Sequence, residues 1–333
     1  MPHCGTQMTI CDLPIRFDTY KGCSHACKYC FAQRKKSIAR VTVGEGVRAL
    51  RGFIAGKRTI STHWCDWDIP LHWGGTSDPF QPAEKEYRRS YDCLKAFAAT
   101  RYPFIVSTKG ALIGDDDYID LIRDCKCVIQ ISLVCPEYDV LERGAPEFSA
   151  RLKLIEKLAK YQRVIVRIQP YMPEVHHSIM KSILLFAGAG AHGIIVEGMK
   201  FTRRKDGLVK VGADYCYKVP VLKKRYEEMK EAAHDTGMKF YCGENRLRSM
   251  GDSITCCGVD GLEGFHVNRC NINHYVLGGF EEPTEKMKET GTGYCFKSFD
   301  QNPGKNDYYV RSSFAEHMRG RIQAIKKDGS PVG

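Results

Sequence analysis

Short runs rich in valine and isoleucine, spaced by helical stretches long enough to cross over a sheet, constrain this 333-residue chain more than any other feature. The runs are "PFIVST" (103–108), "CVIQISL" (127–133), "RVIVRIQP" (163–170) and "GIIVEG" (193–198), and they predict strands. Between them Tyr87, Tyr91, Leu94 and Phe97 recur at helical spacing, as do Leu152, Ile155, Leu158 and Ala159, and a further helix is expected over 178–187. Parallel neighbours need such crossovers, which are nearly always right-handed. The β-α-β-α order therefore predicts an α/β fold with a parallel sheet and helices outside it. Strands near 15–20 and 69–75 bring the total to six units. Six are too few for a closed eight-unit barrel, which leaves a partial barrel or an open sheet with its site at the strands' C-terminal ends. Beyond about residue 200 the alternation fades into a charged helix (219–236), a strand at "MKFYC" and irregular chain. The expected division is a core over 1–200 and an extension over 201–333 that adds no second core.

A chain of this length that is 43% hydrophobic can bury a full core. It has no run of 18 or more apolar residues, and the N-terminus "MPHCGTQMTICDLPIRF" lacks the apolar centre of a secretion signal, so a soluble, cytoplasmic protein without a membrane partner is expected. Sixteen cysteines in such a chain point to metal binding or buried thiols before disulfides. The formal charge of +11, with basic clusters at 34–36, 203–205 and 223–225 and at Arg246 with Arg248, suits an anionic partner such as nucleic acid or a nucleotide. Basic clusters are also ordinary solvated faces, so charge alone does not decide this.

The segment "YKGCSHACKYCFAQ" (20–33) spaces Cys23, Cys27 and Cys30 as C-x3-C-x2-C. Three thiolates are one ligand short of an ordinary iron–sulfur cluster, and a missing ligand leaves a coordination position for a small molecule. The alternative is a zinc or ordinary cluster site completed by a distant cysteine or histidine. All three tryptophans fall in "STHWCDWDIPLHWGG" (61–75), with His63, Cys65, Asp66, Asp68 and His72. Tryptophan faces stack on nucleobases and carboxylates accept from exocyclic amines, so a base-like substrate is reasonable and Cys65, Asp66 and Asp68 become candidate catalytic groups. The plain alternative makes Trp73 strand core and the rest a packed loop. Within the extension, Cys242, Cys256, Cys257 and Cys270 lie among glycine-rich turns, with His266 and His274 available to complete a zinc site. Isolated buried thiols are the competing reading.

The C-x3-C-x2-C spacing, with Tyr29 before the last cysteine, resembles the radical S-adenosylmethionine (radical SAM) superfamily. From about Phe17 to Met199 the resemblance is to its spore-photolyase-like branch, carried by "GCSHACKYCFA", "GGTSDPFQPAE", "VSTKG", "QISL", "LERGAPEFSARL" and "VRIQPYMPE", in order and each after an expected strand. The resemblance implies a partial (β/α)6 barrel, and a [4Fe-4S] cluster on Cys23, Cys27 and Cys30 whose open iron binds S-adenosylmethionine. It also implies reductive cleavage of that cofactor, to start hydrogen abstraction from a substrate, and an electron donor of the flavodoxin or ferredoxin type. Tyr29 would lie against the adenine, with Thr76, Ser77, Lys109, Ser132 and Arg143 around the rest of the cofactor. A second iron–sulfur cluster or a zinc ion in the extension is a further expectation. Two positions depart from the spore photolyases: their hydrogen-donating cysteine before T-S-D is Gly75 here, and the tyrosine after the third cluster cysteine is Phe31. Thymine-dimer repair by that route is therefore not expected. The substrate reading becomes a nucleobase-type molecule, within nucleic acid or as a free modified base such as queuine, acted on by a modifying enzyme or lyase. Peptide maturation with an auxiliary cluster, and a non-catalytic iron–sulfur or zinc protein that binds nucleic acid, are the alternatives.

Overall fold

The computed structural model describes residues 1–4, 11–34, 38–59, 62, 65, 68–212 and 214–268. In chain order the elements are β1 (His3–Cys4), β2 (Ile15–Phe17), β3 (Tyr20–Lys21), β4 (Thr42–Val43), α1 (Val47–Ile54), β5 (Leu71–Trp73), α2 (Glu84–Tyr87), α3 (Arg89–Thr100), β6 (Phe104–Thr108) and α4 (Asp116–Asp124). There follow β7 (Cys127–Ser132), α5 (Phe148–Leu158), β8 (Arg163–Tyr171), α6 (His176–Gly188), β9 (Gly193–Gly198), β10 (Lys200–Phe201), β11 (Leu208–Val211), β12 (Asp214–Tyr217), α7 (Val219–Asp235) and β13 (Lys239–Cys242). The main sheet runs β1-β2-β5-β6-β7-β8-β9-β13, antiparallel only at β1. This is the α/β partial barrel expected from the alternation, its six anticipated strands joined by β13 at the far edge.

Strict alternation along the parallel strands sends successive side chains to opposite faces. The outward set is apolar. Phe17, Trp73 and Phe104 meet Phe97 of α3, with the Phe97 and Phe104 rings stacked at 4.0 Å and Trp73 fully buried among them. Trp73 is thus core, and its indole Nε1 donates to Thr19 Oγ1 at 3.3 Å. The inward set is polar near the C-terminal ends: Arg16, His72, Ser107, Gln130, Arg167, Gln169 and Glu197. Among the described residues, no helix is long and apolar enough to cross a membrane.

The chain beyond residue 200 does three things. A small antiparallel sheet, β10-β12-β11, fills the stretch expected to be irregular. Its strands of two to four residues are too short to print a periodic pattern. α7 packs on the sheet through Leu222, Tyr226, Met229 and Ala233. The segment 257–260 then floors the barrel at the strands' N-terminal ends. Arg163 Nη1 donates to the carbonyls of Gly258 (3.0 Å) and Asp260 (2.7 Å), Tyr241 Oη to Asp260 Oδ1 (2.7 Å), and Gln130 Nε2 to the Cys257 carbonyl (2.9 Å).

Candidate active site

The cysteine loop follows β2 and β3 at the C-terminal end of the sheet. Its backbone is pinned from three sides. Cys23 N donates to Ile38 O (2.8 Å), Lys28 N to Leu141 O (2.9 Å), and Ser24 N to Gln81 Oε1 (2.9 Å). Gly144 N donates to His25 O, and a Cβ at Gly144 would sit 2.5 Å from Ser24 O, so only glycine allows this approach. Cys27 is buried and Cys23 and Cys30 are half-buried. Burial pushes the Cys23 thiol up to about 12, with Asp78 and Cys27 adding to it, and the Cys27 thiol up to about 11, with Lys109 opposing and Glu142 and Cys30 adding. Cys27 lies within electrostatic reach of both Cys23 and Cys30, and a cation beside Cys23 and Cys27 would offset the burial that disfavours their thiolates.

Two buried carboxylates organise the surroundings. Asp18 accepts from Thr76 N (3.1 Å), Thr76 Oγ1 (2.7 Å) and Ser77 N (3.3 Å), while Ser77 Oγ donates to Tyr20 O (2.6 Å). Asp78 accepts from Thr108 Oγ1 (2.6 Å) and Lys109 N (2.6 Å) and pairs with His25 Nε2 at 3.1 Å. Burial alone would lower the His25 pKa. Asp78 and the Gly144 carbonyl outweigh it and hold the imidazole above its usual value.

Glu142 is a third hub. Its carboxylate, almost fully buried, pairs with Arg151 Nη1 at 2.6 Å, lies 3.7 Å from Lys109 Nζ, and accepts from Tyr29 Oη. Lys109 Nζ stands 5.7 Å from the Tyr29 ring centre. Arg151 Nη1 also donates to the Ser132 carbonyl at 2.8 Å, so β7 is tied to the same group. The structure thus brings Tyr29, Lys109 and Ser132 together beside the thiols through Glu142 and Arg151, and holds Thr76 and Ser77 in a neighbouring turn. Arg143 is exposed, next in the chain to Glu142.

Between this mouth and the floor lies the polar interior. Arg167 Nη1 donates to Gln130 Oε1 (2.6 Å) and Ser107 Oγ (3.2 Å), His72 Nε2 is 3.0 Å from Ser107 Oγ, and Gln169 links Arg167 to Glu197. A Cβ at Gly75 would lie 3.0 Å from Arg16 Cδ, so a side chain there would share space with that guanidinium. Cys65 and Asp68 are elsewhere. Cys65 is buried with its carbonyl accepting from Arg58 Nε, both sit beside Tyr102 before β6, and Asp68 is exposed. Asp66, with His63, Trp64 and Trp67, lies outside the described residues, as do Cys270 and His274.

Of the cysteines singled out in the extension, the described ones lie near the floor. Cys256 and Cys257 sulfurs are 3.9 Å apart, and both lie with Asp12 in a group whose donor atoms are all within 4.8 Å of one another. Hydrogen bonding from Cys257 outweighs burial and, with Arg248, draws the Cys256 thiol down to about 6, while Cys257 is held well above the usual value. Cys242 is fully buried nearby.

A structure of spore photoproduct lyase complexed with dinucleoside spore photoproduct superposes over 69% of this chain and 77% of that one, with a TM-score of 0.58 and 17% identity. A doubly substituted mutant of that lyase, with bound AdoMet and the same dinucleoside, gives 0.57 over 68% and 76%, at 16% identity. This chain has the spore photoproduct lyase fold. In sequence, uncharacterised proteins of Mycobacterium tuberculosis and Mycobacterium bovis are 29% identical over 206 residues, which is 56% of this chain and 59% of each relative. The chain thus matches somewhat over half of the relatives' length. No protein-family model matches it.

On this lyase-type fold, the residues that the sequence reading passed over are Asp18, His25, Asp78, Glu142, Arg151 and the interior row from Ser107 to Glu197, whereas His72 was noted only as part of the tryptophan-rich segment. Glu142 and Arg151 stand inside one motif, "LERGAPEFSARL", nine residues apart, with nothing in it to show that they pair. The interior row did leave a signal. In "VIQIS", "VRIQP" and "IVEG" a polar residue interrupts an apolar strand at every second position, which is unexpected for a strand buried on both faces.

Proposed function

We propose that the chain is a radical SAM enzyme acting on a nucleobase-type substrate held in the barrel. One observation carries this reading: the three thiols of one loop, with Cys27 in electrostatic reach of Cys23 and of Cys30, stand at the C-terminal mouth of a polar-lined barrel whose other end is floored. Cys23, Cys27 and Cys30 would hold a [4Fe-4S] cluster, with S-adenosylmethionine on its open iron. The chemistry supplied there when both are bound is one-electron cleavage of the sulfonium, which starts hydrogen abstraction.

The chain's own groups position the partners. Thr76 and Ser77 donate their hydroxyl hydrogens internally, so what they keep for a ligand is acceptor capacity, suited to an ammonium group. Lys109 offers a cation at the rim that Glu142 only partly occupies at 3.7 Å, suited to a carboxylate, and Tyr29 offers an aromatic face. Deeper in, Arg167, Gln130, Gln169 and Glu197 present donors and acceptors of the kind that read base edges. The absence of a thiol at position 75 favours modification or cleavage of a base over dimer reversal. An electron would be supplied by a small redox protein of the flavodoxin or ferredoxin type.

The test is anaerobic reconstitution with iron and sulfide, addition of S-adenosylmethionine and dithionite, and chromatographic measurement of 5′-deoxyadenosine. Product well above a cluster-free control supports the reading; an iron-loaded protein that makes none overturns it. Cys27→Ala is expected to abolish cleavage while the chain stays folded, because the residue sits in a loop outside the sheet. Oligonucleotide affinity that falls steeply with salt would assign the substrate to nucleic acid, since phosphate contacts release counterions. Binding of free bases without that slope would assign it to a small molecule.

A further inference from the structure

We propose that Asp12, Cys256 and Cys257 form a second metal site, for a single borderline divalent cation of the zinc class. It would clip together the two edges of the open barrel. The site stands on its own geometry, independent of the radical chemistry proposed above. Its three donor atoms lie within 4.8 Å of one another, and Asp12 and Cys257 are buried. Two thiolates on a tetrahedral zinc at about 2.3 Å place their sulfurs about 3.8 Å apart. The Cys256 and Cys257 sulfurs are 3.9 Å apart. The separation is that of a pair already spaced for one ion.

Charge favours the same assignment. Two thiolates and a carboxylate outweigh a dication by one unit, and burying that surplus is costly unless it is neutralised. Arg248, 4% exposed, supplies the balancing charge beside Cys256. Sulfur donors select against calcium and magnesium, which prefer oxygen alone. Cys11, next to Asp12 and within electrostatic reach of both other thiols, is the side chain available for the fourth position, and the extra negative charge it would bring is met by Arg16, whose Nη2 lies 3.7 Å from its sulfur.

The location gives the site a purpose. Asp12 precedes β2, the first of the parallel strands and next to the short edge strand β1, and Cys256 and Cys257 follow β13 at the opposite edge. Hydrogen bonds from Asn268, farther along the same stretch of chain, already reach the Asp12 segment, its N donating to Asp12 O at 2.8 Å and its side-chain Nδ2 to Cys11 O at 3.0 Å. An ion shared by these donors closes a loop that contains the whole barrel, where a cross-link restricts the unfolded chain most.

The experiment uses the full chain carrying Cys23→Ala, Cys27→Ala and Cys30→Ala, so that metal at the mouth cannot contribute. Cobalt(II) is titrated as a spectroscopic probe against a competing chelator, and zinc retained after gel filtration is measured by elemental analysis. The expected result is one ion per chain, thiolate-to-cobalt charge-transfer absorption and intense tetrahedral ligand-field bands. Cys256→Ser with Cys257→Ser should abolish binding, and Asp12→Asn, nearly isosteric and checked for folding by circular dichroism, should weaken it at least tenfold. Failure to retain metal, or retention unchanged in Asp12→Asn, overturns the site. Acid-labile sulfide held by the triple-alanine chain after iron–sulfide reconstitution overturns the single-ion assignment in favour of a cluster. None of these outcomes bears on 5′-deoxyadenosine production by the wild-type chain, which tests the mouth separately.

Discussion

Glu142 meets Arg151, Lys109 and Tyr29 at once, and the burial of the Arg151–Glu142 pair makes it the residue-scale feature with the largest consequence. Removing one member of a buried pair strands the other's charge, so Arg151→Met is expected to cost about 3–5 kcal/mol in urea unfolding. Lys109, farther from Glu142 and less buried, should cost about 1 kcal/mol or less on conversion to Met, while lowering the affinity for S-adenosylmethionine at least tenfold by equilibrium binding. Asp78 carries a pH dependence. Burial raises its pKa, but His25, the Lys109 amide and the Thr108 hydroxyl together bring it from 3.8 down to about 2. Between those values the unfolded chain binds more protons than the folded one. Its contribution is therefore complete above pH 3.8 and lost as pH falls toward 2. Unfolding of the triple-alanine chain across that window should show this slope, and Asp78→Asn should flatten it.

At the scale of elements, the floor is held by a conformation and a contact together. Gly258 has φ +71°, and a Cβ there would lie 2.7 Å from Ile165 Cγ1. Gly258→Val should destabilise the chain by roughly 2 kcal/mol or more, read from the denaturant midpoint, because neither strain nor overlap can be relieved without moving the segment. The strands that build the walls were legible because valine and isoleucine runs bounded by turn residues mark them locally. β10, β11 and β12 were not, since pairs this short depend on their partners rather than on pattern. Trp73 shows the limit from the other side: its type allowed either stacking on a base or a place in the strand core, and its alternation with His72 decides for the core, facing α3 while His72 faces the interior.

For the molecule as a whole, the sheet is parallel from β2 to β13, and residues from its first and last parts meet again below it. If the proposed clip holds, stripping zinc from the wild-type chain should lower its thermal midpoint. The Cys256→Ser/Cys257→Ser variant should not respond to the same treatment. What the sequence determined by itself was local: the β-α order, and with it the fold class, and the three cysteines of one loop, because a chain segment of a dozen residues encodes its periodicity and ligand spacing without outside help. What only the tertiary structure decided was every pairing across distance: Glu142 with Tyr29 and Lys109, His25 with Asp78, and Asp12 with Cys256 and Cys257. Each of these joins residues on different elements, so its partner is selected by how the sheet curves and closes, and no spacing along the chain records that.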